Sequence, residues 1–286
     1  MSSFFPDLVR ALVIVAVLLF YIGLLWRVLD WITPFDDWDE LFVKGNVAYL
    51  AQRVGLLVAQ PIAMLAVIGQ FDVGNLWPSA RTLLIEGAWV FTALLLAYFF
   101  VDWVLFPKVA NRELLLADNR AVGVVEAGFY IGIGLLLNGS LTGDGNSWVM
   151  TVSSTVVFYV LGLAFVMGVY WLHEAVTSYD LRARLRDGNL AAGIELAAVL
   201  VSASVVTRVG VAGDIDGWVE AFGWFFLTAA TAVVLLYLVR WIGNRLLTRR
   251  HTIAEAQEAG STTVAAFQAT TLLVAATIVA ATLSAI

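Results

Sequence analysis

The sequence predicts an all-α integral membrane protein of eight transmembrane helices, arranged as four αα-hairpin repeats in two parallel four-helix halves. Three observations carry this reading. Of 286 residues, 61% are hydrophobic and only 13% charged, against about 25% charged in a soluble domain. Such a composition cannot be hidden inside one water-soluble globule. Apolar runs long enough to cross a hydrocarbon core of about 30 Å recur along the whole chain, and the polar segments between them alternate in charge.

The opening run, MSSFFPDLVRALVIVAVLLFYIGLLWRVLDW, lacks a basic n-region and exceeds the roughly 7–15 apolar residues of a signal peptide. It is expected to be retained as a first span over roughly 8–30. The second, over roughly 46–69, carries Arg53 and Pro61. The third to the seventh cover roughly 82–106, 120–141, 148–172, 189–211 and 218–243. The eighth, roughly 262–285, is rich in Ala and Thr. Gly128 and Gly132 put a small-xxx-small face on the fourth span, suited to close helix contact within the bundle or across a homo-oligomer.

The connections set the orientation. Lys44; Lys108, Arg112 and Arg120; Arg182, Arg184 and Arg186; and Arg245, Arg249 and Arg250 fall in the first, third, fifth and seventh connections. The even connections, GQFDVGNLWPS, NGSLTGDGNS and VAGDIDGW, are acidic or neutral. The positive-inside rule makes the odd connections cytoplasmic and puts both termini outside. Arg81 and Arg208, at outer helix ends, are outnumbered exceptions.

Each odd connection ends alike. GNVAYLAQR, DNRAVGVVE and GNLAAGIEL open three spans with a Gly/Asp-Asn pair, and AGSTTVAAFQ opens the fourth with Ser. Asn46, Asn119, Asn189 and Ser261 are expected as N-caps, whose side chains accept from the unpaired first-turn N–H groups. Upstream, TPFDDWDELFVKGN and TSYDLRARLRDGN both run from Thr through an aromatic-Asp pair to Gly-Asn, and Glu40, Glu113 and Glu255 each precede the capping residue by six positions. The repeating unit is therefore helix, amphipathic link, helix. The likeness of units one and three suggests a duplicated four-helix half, with domains at 1–145 and 146–286. An even number of spans per half makes the repeats parallel.

Those residues, the Thr-Pro-Phe-Asp link and the Gly-Asn-x-Ala helix start, resemble the domain-of-unknown-function 350 (YjfL-like) family of prokaryotic inner-membrane proteins, as two tandem copies over nearly the whole chain. The resemblance implies an inner-membrane location and neighbours in membrane-stress and membrane-remodelling systems. It supplies no catalytic residues.

Chemistry is most plausible past the caps. Gln52, Arg53, Glu126, Glu195 and Gln268 lie six or seven positions beyond their capping residues, about 10 Å along the axis, and Asp102 should fall at a similar level. Charges at the bilayer centre cost about 2.5–3.5 kcal/mol on insertion scales, so these groups should pair or line a path. One reading is a buried ion pair, Arg53 with Glu126 or Glu195, locking the halves together. The other is an ion or proton path in a channel or secondary transporter, with one acid left to titrate.

Enzyme signatures are missing: no HExxH, GxSxG or Walker A pattern occurs, there is no cysteine, and the histidines are His173 and His251. No catalytic residue, metal or cofactor is expected. A net charge of -6 argues against a nucleic-acid partner. The expected role is a non-enzymatic component of membrane homeostasis. Its cytoplasmic links, through Lys108, Arg112, Arg182, Arg184, Arg186, Arg249 and Arg250, would meet the lipid bilayer or cytoplasmic membrane-stress proteins.

Overall fold

The computed structural model describes residues 4–104, 111–247 and 253–285. Lys108, Arg249 and Arg250 lie outside the described residues, as does the side chain of Asp102.

Eight helices are long and apolar enough to cross a membrane: α1 (Phe4–Ile32), α2 (Val47–Gly69), α3 (Leu76–Val104), α5 (Arg120–Ser140), α6 (Trp148–Val176), α8 (Leu190–Val211), α9 (Trp218–Leu247) and α11 (Thr262–Leu283). The short helices α4 (Asn111–Leu116), α7 (Leu181–Arg186) and α10 (Ile253–Glu258) lie in the odd connections, and a π-helical turn, Asp39–Val43, holds the corresponding place before α2. We call this the link side and the opposite end the loop side. α3 starts earlier than the expected 82, because Pro78 falls in its first turn, where a missing N–H breaks no helical bond.

The sequence pair before each long helix has a double function. Gly45, Asp118, Gly188 and Gly260 have positive φ, which ends the short helix and turns the chain. After α7, Gly188 N–H donates to Leu185 O and Asn189 N–H to Arg184 O, the Schellman pattern. The next residue then starts the long helix: Asn46, Asn119 and Asn189 accept from the N–H of Tyr49, Val122 and Ala192. Ser261 has capping backbone geometry but no side-chain cap bond.

The amide end of each asparagine does something the sequence did not announce. Asn46 Nδ2 donates to Leu115 O at 2.8 Å, Asn119 Nδ2 to Leu185 O and Arg186 O at 2.9 and 3.0 Å, and Asn189 Nδ2 to Gln257 O and Glu258 O at 3.1 and 3.2 Å. These carbonyls end α4, α7 and α10, where a helix runs out of its own N–H donors; Leu115 O, Leu185 O and Gln257 O each take one turn N–H, and the asparagine amide adds a second donor. Each asparagine thus caps its own helix and clasps the following link.

The result is a row in which α2, α5, α8 and α11 pack side by side in that order, with α1, α3, α6 and α9 against them. In α5 and α8, 78% of the apolar window is buried, against 11% in α1, so α5 and α8 are central. Small residues allow the close seams. A Cβ on Gly123 would stand 2.3 Å from Ala48 O, and one on Gly55 2.4 Å from Ala127 Cα. Likewise Gly128 sits against Ala197 and Gly132 against Ser204. The Gly128/Gly132 face is therefore filled by α8 of the same chain and is not a free surface for a second copy.

Both ends of the row lack such residues. Four and eight positions past the cap, α5 has Gly123 and Ala127, α8 has Gly193 and Ala197, and α11 has Ala265 and Ala269. At those positions α2 has Leu50 and Val54, both exposed. On the other face, nine and thirteen past the cap, Gly55 and Ala59 of α2 and Gly128 and Gly132 of α5 give way to Thr270 and Val274 in α11. Bulky side chains at both ends stop the close packing from continuing.

On the loop side, the turns after α5 and α8 pair through Gly213 N–H to Thr142 O, Ile215 N–H to Asp144 O, and Asp144 N–H to Asp214 Oδ1.

Candidate functional site

The polar residues past the caps are all buried: Gln52, Arg53, Glu126, Glu195 and Gln268. What positions them is helical phase. Gln52 and Arg53 are adjacent, hence about 100° apart around α2, and they serve different neighbours.

Arg53 does not pair with Glu126 or Glu195. Its Nη2 lies 2.7 Å from Asp37 Oδ1, in the link just before its own helix, where Asp37 is buried. The Tyr49 hydroxyl accepts from Arg53 and donates to Asp37. The guanidinium also lies 4.7 Å from the centroid of the Tyr49 ring and 5.8 Å from that of Tyr98, a cation–π setting that suits a desolvated cation.

Gln52 faces α5, and its Nε2 donates to Glu126 Oε2 at 2.6 Å. Asn111 of α4 donates to Glu126 Oε1, and the Tyr130 hydroxyl lies 3.3 Å from Oε2. A cavity of about 10 Å³ beside Tyr49, Gln52 and Tyr98 has room for about one water.

Glu195 collects a denser set. Arg240 of α9 lies 2.8 Å from Oε1, at an angle that makes it an ion contact without hydrogen-bond alignment. The Tyr179 hydroxyl, from the link before α8, donates to Oε2 at 2.9 Å. Burial, then the Glu195 carboxylate, push the Tyr179 phenol well above its ordinary pKa, which keeps it a donor. His173 Nδ1 lies 3.0 Å from Arg240 Nη1. An arginine only donates, so Nδ1 accepts and the ring proton sits on Nε2, 3.7 Å from Glu195 Oε1. In α11, Gln268 Oε1 accepts from Gln257 Nε2 of α10 at 2.9 Å.

The layer therefore joins neighbours within each half: α2 to α5 through Gln52 and Glu126, α8 to α9 through Glu195 and Arg240. The expected lock between halves is made elsewhere, by the Asn119 clasp and by Arg208. That arginine, read from sequence as an exception to the charge rule, donates through Nε to Asn138 Oδ1, while Asn138 Nδ2 reaches Ile62 O at 3.0 Å.

Sequence reasoning missed Asp37, His173 and Arg240 as members of the layer. A signal existed for two: Tyr170 and Tyr237 sit in corresponding helices, with His173 and Arg240 three residues after each. The link cations divide. Arg182 pairs with Glu174 at 2.6 Å and Arg184 with Glu258 at 2.7 Å. Arg186 and Arg112 are exposed, the latter 6.0 Å from the Phe35 ring centroid.

The family described as Domain of Unknown Function (DUF350) matches the chain twice, over residues 3–141 and 147–283. A UPF0719 transmembrane protein of Aquifex aeolicus (strain VF5) is 22% identical over 153 residues, which cover 52% of this chain and 56% of that protein. The chain thus spans about half the length of that curated relative. No solved structure matches.

Proposed function

The chain belongs to the DUF350 family, as two tandem copies, and from that premise we propose that it is a non-enzymatic scaffold of the inner membrane, acting through its link side in membrane homeostasis. The observation that carries this reading is how the buried charges are used. Arg53 is held by Asp37 and Arg240 by Glu195, so these ions fasten a link to α2 and α9 to α8. The link side, read as cytoplasmic from its arginines, offers what an anionic leaflet or an acidic partner would meet: exposed Arg112 and Arg186, and exposed Trp31, Trp38 and Phe42. Amphipathic aromatics sit at headgroup level, and each basic residue near an anionic surface contributes about 1 kcal/mol.

The test is thermal unfolding in nanodiscs of neutral and of anionic lipid. Wild type should gain stability from anionic lipid, and the Arg112→Glu/Arg186→Glu variant should lose most of that gain. Equal gains in the two proteins would refute lipid contact at these residues and leave a protein partner, membrane-stress proteins included, as the ligand of the link side.

A second reading, proton conduction, draws support from one cluster. Tyr179, Glu195 and His173 form a series of proton-carrying groups from the link into the bundle. Its signature is a proton flux that Glu195→Gln removes.

A further inference from the structure

A groove of about 420 Å³ opens sideways between α3, α5 and α6, where the first family match meets the second. Leu96, Phe99 and Phe100 of α3, Phe129 and Ile133 of α5, and Leu163 of α6 line it. All lie in membrane-spanning segments, so an occupant arrives from the hydrocarbon. One lining group is polar. Tyr159 of α6 is 9% exposed, and its hydroxyl has no hydrogen-bond partner among the described residues. Its ring meets that of Trp89 edge-on, centroids 6.3 Å apart, and the buried Trp89 Nε1–H also lacks an acceptor.

The Tyr159 hydroxyl, unpartnered in an apolar setting, is costly, and its proton is satisfied only by an acceptor. The site therefore asks for an acceptor attached to an apolar body. Depth decides which. Tyr159 lies about 16 Å along α6 from its start, near the middle of a core about 30 Å thick. Phospholipid esters and phosphates stay at the interface and do not bring an acceptor there. A quinone ring carries its carbonyls with it into the hydrocarbon, and its flat face suits walls of phenylalanine.

We propose that this groove binds an isoprenoid quinone, a ring carbonyl accepting from Tyr159 and the tail leaving through the lateral opening. The site is independent of the link-side function.

The experiment is calorimetric titration of the full chain in detergent with a short-chain ubiquinone, beside an isoprenoid alcohol of equal chain length. Wild type should bind the quinone and bind the alcohol at least tenfold more weakly. Tyr159→Phe, which keeps the ring, should weaken quinone binding about tenfold, the scale of one lost buried hydrogen bond. Ala97→Trp, which fills the groove from α3, should abolish it. Should Ala97→Trp fail to fold, Tyr159→Phe carries the test. No quinone binding by wild type, unchanged affinity in Tyr159→Phe, or equal affinity for the alcohol would overturn the assignment.

Discussion

Asn119 shows how one side chain serves two helices: its oxygen caps α5 and its amide clasps α7. Asp at this position keeps the acceptor and loses the donor. Asn119→Asp should therefore destabilise by about 1 kcal/mol, since Leu185 O keeps its bond from Gly188 N–H and the Arg186 O contact is exposed. Asn119→Ala, which also loses the cap, should cost about 1 kcal/mol more. Equal effects of the two changes in thermal unfolding would mean that the clasp contributes nothing. The buried ion pair makes a sharper case. Removing one partner of such a pair typically costs about 3–5 kcal/mol, so Arg53→Met and Asp37→Asn should each destabilise strongly, and the double variant should recover much of the loss. A double variant as damaged as the sum of the singles would sink the Arg53–Asp37 assignment. Caps were legible because their chemistry is local. The pairing of Arg53 was not, because sequence spacing gives the depth of a residue along a helix but not which neighbour its side chain meets.

Among the elements, the eight spans were readable from apolar length, since few soluble sequences offer such runs. Their neighbours were not, because the helices are apolar nearly all round and no polar stripe marks an outer face. Residue size holds the information that polarity lacks. Gly and Ala four and eight positions past the cap mark a helix with a neighbour on that side, and Leu50 and Val54 mark one without. Gly123→Val should accordingly cost at least 1–3 kcal/mol by overpacking, because its Cβ would collide with the backbone of Ala48. Leu50→Ala, on the exposed face, should leave the melting temperature nearly unchanged. Similar losses in both variants would refute the order of the row. The links follow the same logic: α4, α7 and α10 have six residues each, too short to stand alone, and are held by a clasp from the preceding capping asparagine.

At the scale of the molecule, the row joins two family units through the Asn119 clasp, the Asn138–Arg208 bond and the paired loop-side turns. Orientation rests on charge bias alone, and the absence of cysteine makes it easy to check. Cysteines introduced at Arg186 and Asp216 should label differently with an impermeant maleimide: Asp216→Cys from outside intact cells, Arg186→Cys only after permeabilisation. The reverse pattern would turn the protein over. In the scaffold the buried charges brace the fold and carry no current. Proton flux into liposomes under an imposed pH gradient and voltage, wild type beside Glu195→Gln, tests it most directly. Flux no higher than in empty liposomes for both proteins is the expected result. A wild-type flux that disappears in a folded Glu195→Gln protein would contradict the scaffold and make Tyr179, Glu195 and His173 a proton path.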